Sequence, residues 1–91
     1  MTTKLEYIER LAVSIREWDA KIDELAAKSE GGPGEEKMVY KRRLAELRER
    51  RQEAVALLSS LHEADEAAWP GIRKEADHVV EEVNKSLKGA A

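Results

Sequence analysis

Apolar residues recur at alternating gaps of three and four along two long stretches of this chain, and that spacing restricts the chain to paired helices. The gaps are 3, 4, 3, 4 and 3 in the first stretch and 4, 3, 4, 3, 4 and 3 in the second, where Arg51 is the one polar member. This is the a/d pattern of a coiled coil, in which one stripe of each helix faces a partner. The predicted hairpin seam consists of Ile8, Leu11, Ile15, Trp18, Ile22, Leu25, Tyr40, Leu44, Leu47 and Leu58.

Local signals place the ends of the first two helices. Thr3 and Glu6 have the spacing of a capping box, which predicts a first helix over residues 4–29. A Gly-Gly-Pro-Gly run at 31–34 then ends that helix, because glycine adopts the left-handed C-terminal geometry and proline cannot continue the hydrogen bonding. The second helix is expected to begin at residue 35. A break this short predicts the turn of an antiparallel hairpin.

Trp69-Pro70-Gly71 leaves two architectures open. Either the second helix, predicted over 35–68, passes through a kink at 69–71 into a last helical stretch at 72–88, or the chain turns there and a third helix closes a bundle. The residue before Pro70 is a poor cap, and apolar residues keep an 11-residue spacing across the proline, which favours the kink. The predicted fold class is therefore all-α. It is a single coiled-coil domain over 1–91, an antiparallel helical hairpin with a long Pro-kinked second arm, and a closed three-helix bundle is the alternative.

The kinked arm leads to a prediction of self-association. A helix over 35–88 would be roughly 80 Å long, whereas the first helix would be roughly 40 Å long, so the first helix could cover the arm only to about residue 60. The apolar stripe beyond that point should not remain in water. A second copy of the chain is the simplest cover, giving a homodimer or a larger helical bundle. The predicted oligomer interface consists of Leu61, Trp69, Ile72, Ala76, Val79, Val80, Val83 and Leu87.

Composition argues against catalysis and membrane insertion. The 91 residues include no cysteine, and the two glycine clusters lack the Lys-Ser/Thr of a phosphate loop. We predict no catalytic, cofactor-binding or metal-ligating residue, and we do not expect an enzyme. No apolar run approaches the roughly 18 residues of a membrane span, and the first residues lack the apolar core of a signal peptide. A cytoplasmic location is therefore expected, and a membrane partner is not.

Two histidines raise a metal hypothesis that the helical phase disfavours. Glu66 and Glu82 follow His62 and His78 by four residues, and Glu75 stands three residues before His78, as in di-iron bundles. On a helical wheel, however, His78 lies nearly opposite the apolar face. We therefore predict solvated histidines and no metal site.

A basic stripe over residues 37–51 has two interpretations. Seven bases against two acids give it a net charge of +5, which suits nucleic-acid phosphates. Alternatively, it is the complement of the first helix, whose residues 5–30 carry a net charge of −3, with Asp19 expected near Arg48. We favour the second interpretation, because flanking charges usually set coiled-coil pairing and the whole chain has a net charge of −3. The stripe consists of Lys37, Lys41, Arg42, Arg43, Arg48, Arg50 and Arg51.

One segment carries a family resemblance. The run Glu17-Trp18-Asp19-Ala20-Lys21-Ile22-Asp23-Glu24-Leu25, a second tryptophan at 69 and an amphipathic last segment resemble a family of small bacterial coiled-coil proteins, a stress-response family of cyanobacterial founder type. The resemblance covers essentially the whole chain, and its distinctive part is the Trp-Asp-x-x-Ile-x-x-Leu core. It implies a cytoplasmic helical protein associated with stress and transfers no catalytic residues. The chain departs from the family pattern at Pro70-Gly71, where an uninterrupted helix is expected.

These observations lead to one functional hypothesis and one alternative. The first is a non-enzymatic coiled-coil interaction or scaffold protein, associating with itself and, as a further option, with a protein partner. The alternative is a nucleic-acid-associated protein that uses the basic stripe 37–51.

Overall fold

The computed structural model describes residues 3–31 and 34–90, and over those residues it contains three α-helices and no strand. The helices are α1 (Lys4–Gly31), α2 (Gly34–Glu63) and α3 (Trp69–Ala90). The all-α prediction is therefore confirmed. The predicted turn at 31–34 falls between α1 and α2, where Gly32 and Pro33 lie outside the described residues.

The first two helices form the predicted antiparallel hairpin. The Glu6 backbone N–H donates a hydrogen bond to Thr3 Oγ1 at 3.2 Å, which is the N-terminal cap that the sequence indicates. Lys4 Nζ donates to the Ala64 carbonyl at 2.6 Å, so the start of α1 lies beside the end of α2. Eight seam residues are buried, and Tyr40 and Leu58 are partly buried against them.

The predicted kinked arm is wrong, and the alternative, a closed three-helix bundle, is correct. Helix α2 ends at Glu63 rather than at residue 68, the chain reverses through 64–68, and α3 packs back along α2. Residues 69–71, predicted as a kink or turn, are the first residues of α3. The molecule measures 50 × 19 × 17 Å, far shorter than an 80 Å arm would make it.

A cap that the sequence analysis overlooked produces the reversal. Asp65 Oδ1 accepts hydrogen bonds from the backbone N–H groups of Ala67 at 3.1 Å and Ala68 at 2.8 Å. The Trp69 N–H bonds the Asp65 carbonyl at 3.1 Å, which places Asp65 at the head of the turn that leads into α3. Pro70 follows within the first turn of the helix, where the missing N–H leaves only the exposed Glu66 carbonyl without that donor.

The apolar stripe assigned to an oligomer interface is buried within one chain. Leu61, Ala76 and Val83 are at most 1% exposed, and Trp69 and Val79 are also buried. The other three members, Ile72, Val80 and Leu87, are partly buried against the same core. The expectation that this stripe lacks a partner in its own chain is therefore wrong, because α3 folds back and covers it.

An aromatic and charged cluster fastens α3 to α1 at the end of the bundle that contains the chain reversal, which we call the base. Tyr7 Oη donates a hydrogen bond to Asp77 Oδ1 at 2.6 Å, and the rings of Tyr7 and Trp69 have centroids 6.4 Å apart. The Arg73 guanidinium carbon lies 5.6 Å from the Tyr7 ring centroid and 6.0 Å from that of Trp69. These distances are within the range of cation–π attraction. The cluster fixes the level at which α3 starts along the hairpin.

Candidate interaction surface

Because α3 starts at the base and is the shortest helix, it leaves the opposite end of the hairpin uncovered. His78 and Val79 of α3 line a surface depression together with Glu53 of α2. The two helices are antiparallel and rise by the same 1.5 Å per residue, so the last residue of α3 is level with about residue 42 of α2. Roughly the first two turns of α2 therefore extend beyond α3. We call this part of the molecule the hairpin end.

Two large apolar side chains are exposed at the hairpin end. Met38 is 70% exposed and Val39 is 57% exposed. Met38 is nine residues from the buried Leu47, a rotation of half a turn, so its side chain faces away from α1. Val39 is 18 residues, or five full turns, from Leu57, which packs partly buried against the core where α3 covers α2. Val39 is exposed because α3 does not reach its level.

Basic side chains surround both apolar residues. Lys41 and Arg42 follow Met38 by three and four residues, and Arg42 and Arg43 stand in the same relation to Val39. Residues three and four apart are neighbours on a helix surface. Among the described residues, no carboxylate forms an ion pair with any of these three bases. We call these five residues, Met38, Val39, Lys41, Arg42 and Arg43, the basic-apolar patch.

Only one member of the basic stripe complements α1 in the way the sequence analysis proposes. Arg51 pairs with Asp19 through two guanidinium nitrogens, one of them Nη2 at 3.2 Å from Oδ2. Asp19 therefore faces Arg51 instead of Arg48, nearly one helical turn from the expected register. Arg50 pairs with Glu53 of its own helix at 3.2 Å. Within the described ranges, the other five bases of the stripe have no acidic partner, so its charge is largely available to other molecules.

A groove of opposite charge runs between α1 and α3. The two helices touch less than either touches α2, and the groove opens above the Tyr7–Asp77 contact. Its lining includes four acids and one base. Val13, which is 49% exposed, and the partly buried Val80 supply apolar surface there. We call this surface the acidic groove, and its charged lining residues are Glu6, Glu9, Arg10, Glu17 and Asp77.

Burial controls the one strongly perturbed ionisable group at the edge of this groove. The desolvation of the buried Tyr7 hydroxyl raises its pKa well above the ordinary value of 10.0, and the hydrogen bond to Asp77 raises that pKa further. The neutral phenol is therefore kept as a donor to the carboxylate. Its role in the structure is to hold α1 and α3 together.

The histidines that raised the metal hypothesis lie apart on the surface. His62 is exposed near the end of α2, and His78 is exposed on α3. The described residues contain no group of three or more histidine, aspartate or glutamate side chains placed to hold a metal ion. None of the three described helices is long and apolar enough to cross a membrane.

The sequence analysis found the basic stripe but missed the apolar part of the patch and the acidic groove. Met38 carries a readable signal, because it is apolar at a position half a turn from the seam. The groove had no such signal, since it exists only because α3 returns beside α1.

No family model, curated protein or solved structure matches this chain, so the resemblance to a stress-response family stays a prediction.

Proposed function

We propose that this chain is a non-enzymatic helical interaction protein that binds an acidic protein segment at the basic-apolar patch. In the bacterial stress context that the family resemblance implies, it would act as a scaffold. The observation that carries the proposal is the exposure of Met38 and Val39 among three basic side chains without ion-pair partners.

The patch combines the two kinds of surface that specific protein interfaces use. Burial of Met38 and Val39 under a partner would remove apolar area from water, which is the main favourable contribution to association. Lys41, Arg42 and Arg43 would attract acidic segments and reject basic ones, so the charges supply selectivity and speed of encounter. Because the patch lies at one end of a narrow bundle, a partner reaches it without displacing α3.

The alternative function is nucleic-acid association through the same basic stripe, and it is supported by the five bases without acidic partners. Phosphate contacts would use Lys41 and Arg42 but would gain nothing from the apolar side chains beside them. The nearest aromatic residue, Tyr40, is partly buried against the core, so it is poorly placed to stack on bases. The exposed apolar residues therefore favour a protein partner.

A photoreactive amino acid placed at residue 38 in living cells tests the proposal. We expect a covalent adduct with a protein, and we expect the double variant Lys41→Glu/Arg42→Glu to reduce its yield strongly. The matched control places the same photoreactive group at Ser59, which is exposed on α2 near the base. Equal adducts from both positions, or none from residue 38, would contradict the proposal. An adduct that nuclease removes would support the nucleic-acid alternative instead.

A further inference from the structure

We propose that the acidic segment bound by the basic-apolar patch is the acidic groove of a second copy of this chain. This inference rests on the proposed function, because it uses the same patch and names its partner. Self-association is expected from the sequence as well, but the interface proposed here uses none of the residues first assigned to it. Those residues form the core of one chain.

Charge complementarity is the first argument. The patch carries three bases, whereas the groove carries four acids and the single base Arg10. Glu6, Glu9 and Glu17 are exposed, and within residues 3–31 and 34–90 none of them forms an ion pair. Asp77 is already held by Tyr7 and Arg73, so the three glutamates are the groups that remain for a basic partner.

Shape and apolar surface are the second argument. The free face of α2 at the hairpin end is a single convex helix, and the groove between α1 and α3 is concave. Each surface places exposed apolar side chains among its charges, Met38 and Val39 on the patch and Val13 in the groove. Docking would bury these side chains against one another while their charged neighbours pair at the rim, which is the usual anatomy of a protein interface.

The positions of the two surfaces determine the kind of assembly. Met38 faces away from α1 on the outer side of α2, whereas the groove lies between α1 and α3, on the other side of the bundle. One copy therefore cannot present both surfaces to the same neighbour. The contact is heterologous, and each copy donates its patch to one neighbour and its groove to another. The expected products are short chains of copies that lengthen with concentration.

Charge-reversal variants of the full chain test the proposal by sedimentation equilibrium at low salt. The patch variant is Lys41→Glu/Arg42→Glu, and the groove variant is Glu9→Lys/Glu17→Lys; all four side chains are exposed, so folding should persist, as circular dichroism can verify. We expect the wild type to associate with concentration and to dissociate as salt screens the charges. Each variant alone should associate about tenfold or more weakly, because it brings like charges together.

An equimolar mixture of the two variants gives the decisive measurement. The basic patch of the groove variant meets the acidic groove of the patch variant, and the reversed surfaces also match, so association should return. The matched control, Glu30→Lys/Glu63→Lys, makes the same charge change at exposed acids outside the groove and should not restore association with the patch variant. The neutral change Met38→Ser should also weaken association of the otherwise wild-type chain. Restoration by the control would reduce the effect to net charge and overturn the proposal.

The remaining outcomes separate this inference from the function on which it rests. If the wild type stays monomeric at low salt and high concentration, the second copy is not the partner. A protein adduct of another mass at residue 38 would then leave the proposed function standing. If residue 38 yields only nuclease-sensitive adducts, both proposals are wrong. If it yields adducts with this chain itself, both are supported.

Discussion

Tyr7 connects the first and third helices through three kinds of interaction. Its hydroxyl donates a hydrogen bond to Asp77, its ring lies against Trp69, and the Arg73 guanidinium lies over its face. The side chain is 7% exposed, so its single polar atom needs a partner, and the Asp77 carboxylate supplies one. One residue near the start of the chain thus helps to hold a helix that begins more than 60 residues later.

The variant Tyr7→Phe should reveal this contribution through pH. Because burial raises the pKa of Tyr7 above 10.0, the neutral phenol stabilises the fold. That contribution is present below pH 10 and is lost as the pH rises towards the higher pKa of the folded state. We expect the variant to lose about 1 kcal/mol of unfolding free energy at pH 7. Above pH 10 the wild type should lose stability more steeply than the variant. Urea unfolding from pH 7 to 11 measures both, and parallel pH curves would contradict the assignment.

At the scale of the element, the segment at 64–68 decides the architecture. Asp65 bonds the N–H groups of Ala67 and Ala68 and thereby satisfies donors that the start of a helix leaves free. Ala64 is buried and accepts the Lys4 hydrogen bond, so the reversal is also tied to α1. A short polar cap and one long-range contact together convert a continuous helical pattern into two helices.

Asp65→Ala should destabilise the bundle by about 1 kcal/mol, the usual cost of removing an N-terminal cap. Asp65→Asn is the matched control, because its side-chain oxygen can accept the same two hydrogen bonds. We expect the alanine variant to show a lower midpoint in urea with little change in the slope, as measured by far-ultraviolet circular dichroism. Equal loss in both variants would show that the carboxylate charge, rather than the cap, stabilises the turn.

The elements show what the sequence could and could not predict. The seam of α1 and α2 follows from the spacing of residues such as Leu11 and Leu47, because a three-four repeat is a local property. The reversal was missed because the search for a cap stopped at the residue before Pro70, whereas Asp65 stands five residues earlier. The 11-residue spacing of Leu61 and Val83 also misled, since both residues enter the same core from different helices. The basic stripe was readable for the same local reason as the seam, but the acidic groove depends on long-range packing.

At the scale of the whole molecule, α3 shields its own apolar face against the hairpin. The stripe that would require a second copy in an extended arm becomes the core of a bundle with a Cα radius of gyration of 15.0 Å. Stability and self-association are thereby separated. The core belongs to one chain, while the surfaces proposed for association lie outside it.

Trp69→Ala tests that separation. Trp69 is 9% exposed within one chain, so we expect a loss of about 3–5 kcal/mol in unfolding free energy, typical of a deleted core tryptophan. At high salt, where charged surfaces are screened, the loss should be the same at two protein concentrations tenfold apart. Trp69→Phe should retain more than half of the stability. A loss that grows with protein concentration would instead place Trp69 between copies.

The short reach of α3 also divides the bundle into two zones of different cooperativity. Near the base, any opening must break the packing of three helices, whereas the hairpin end is held by two. Partial unfolding of the hairpin end therefore costs less than global unfolding, and its backbone amides should exchange earlier. A partner seated on Met38 and Val39 would order the part of the fold with the least support, and the rest of the bundle would not have to change.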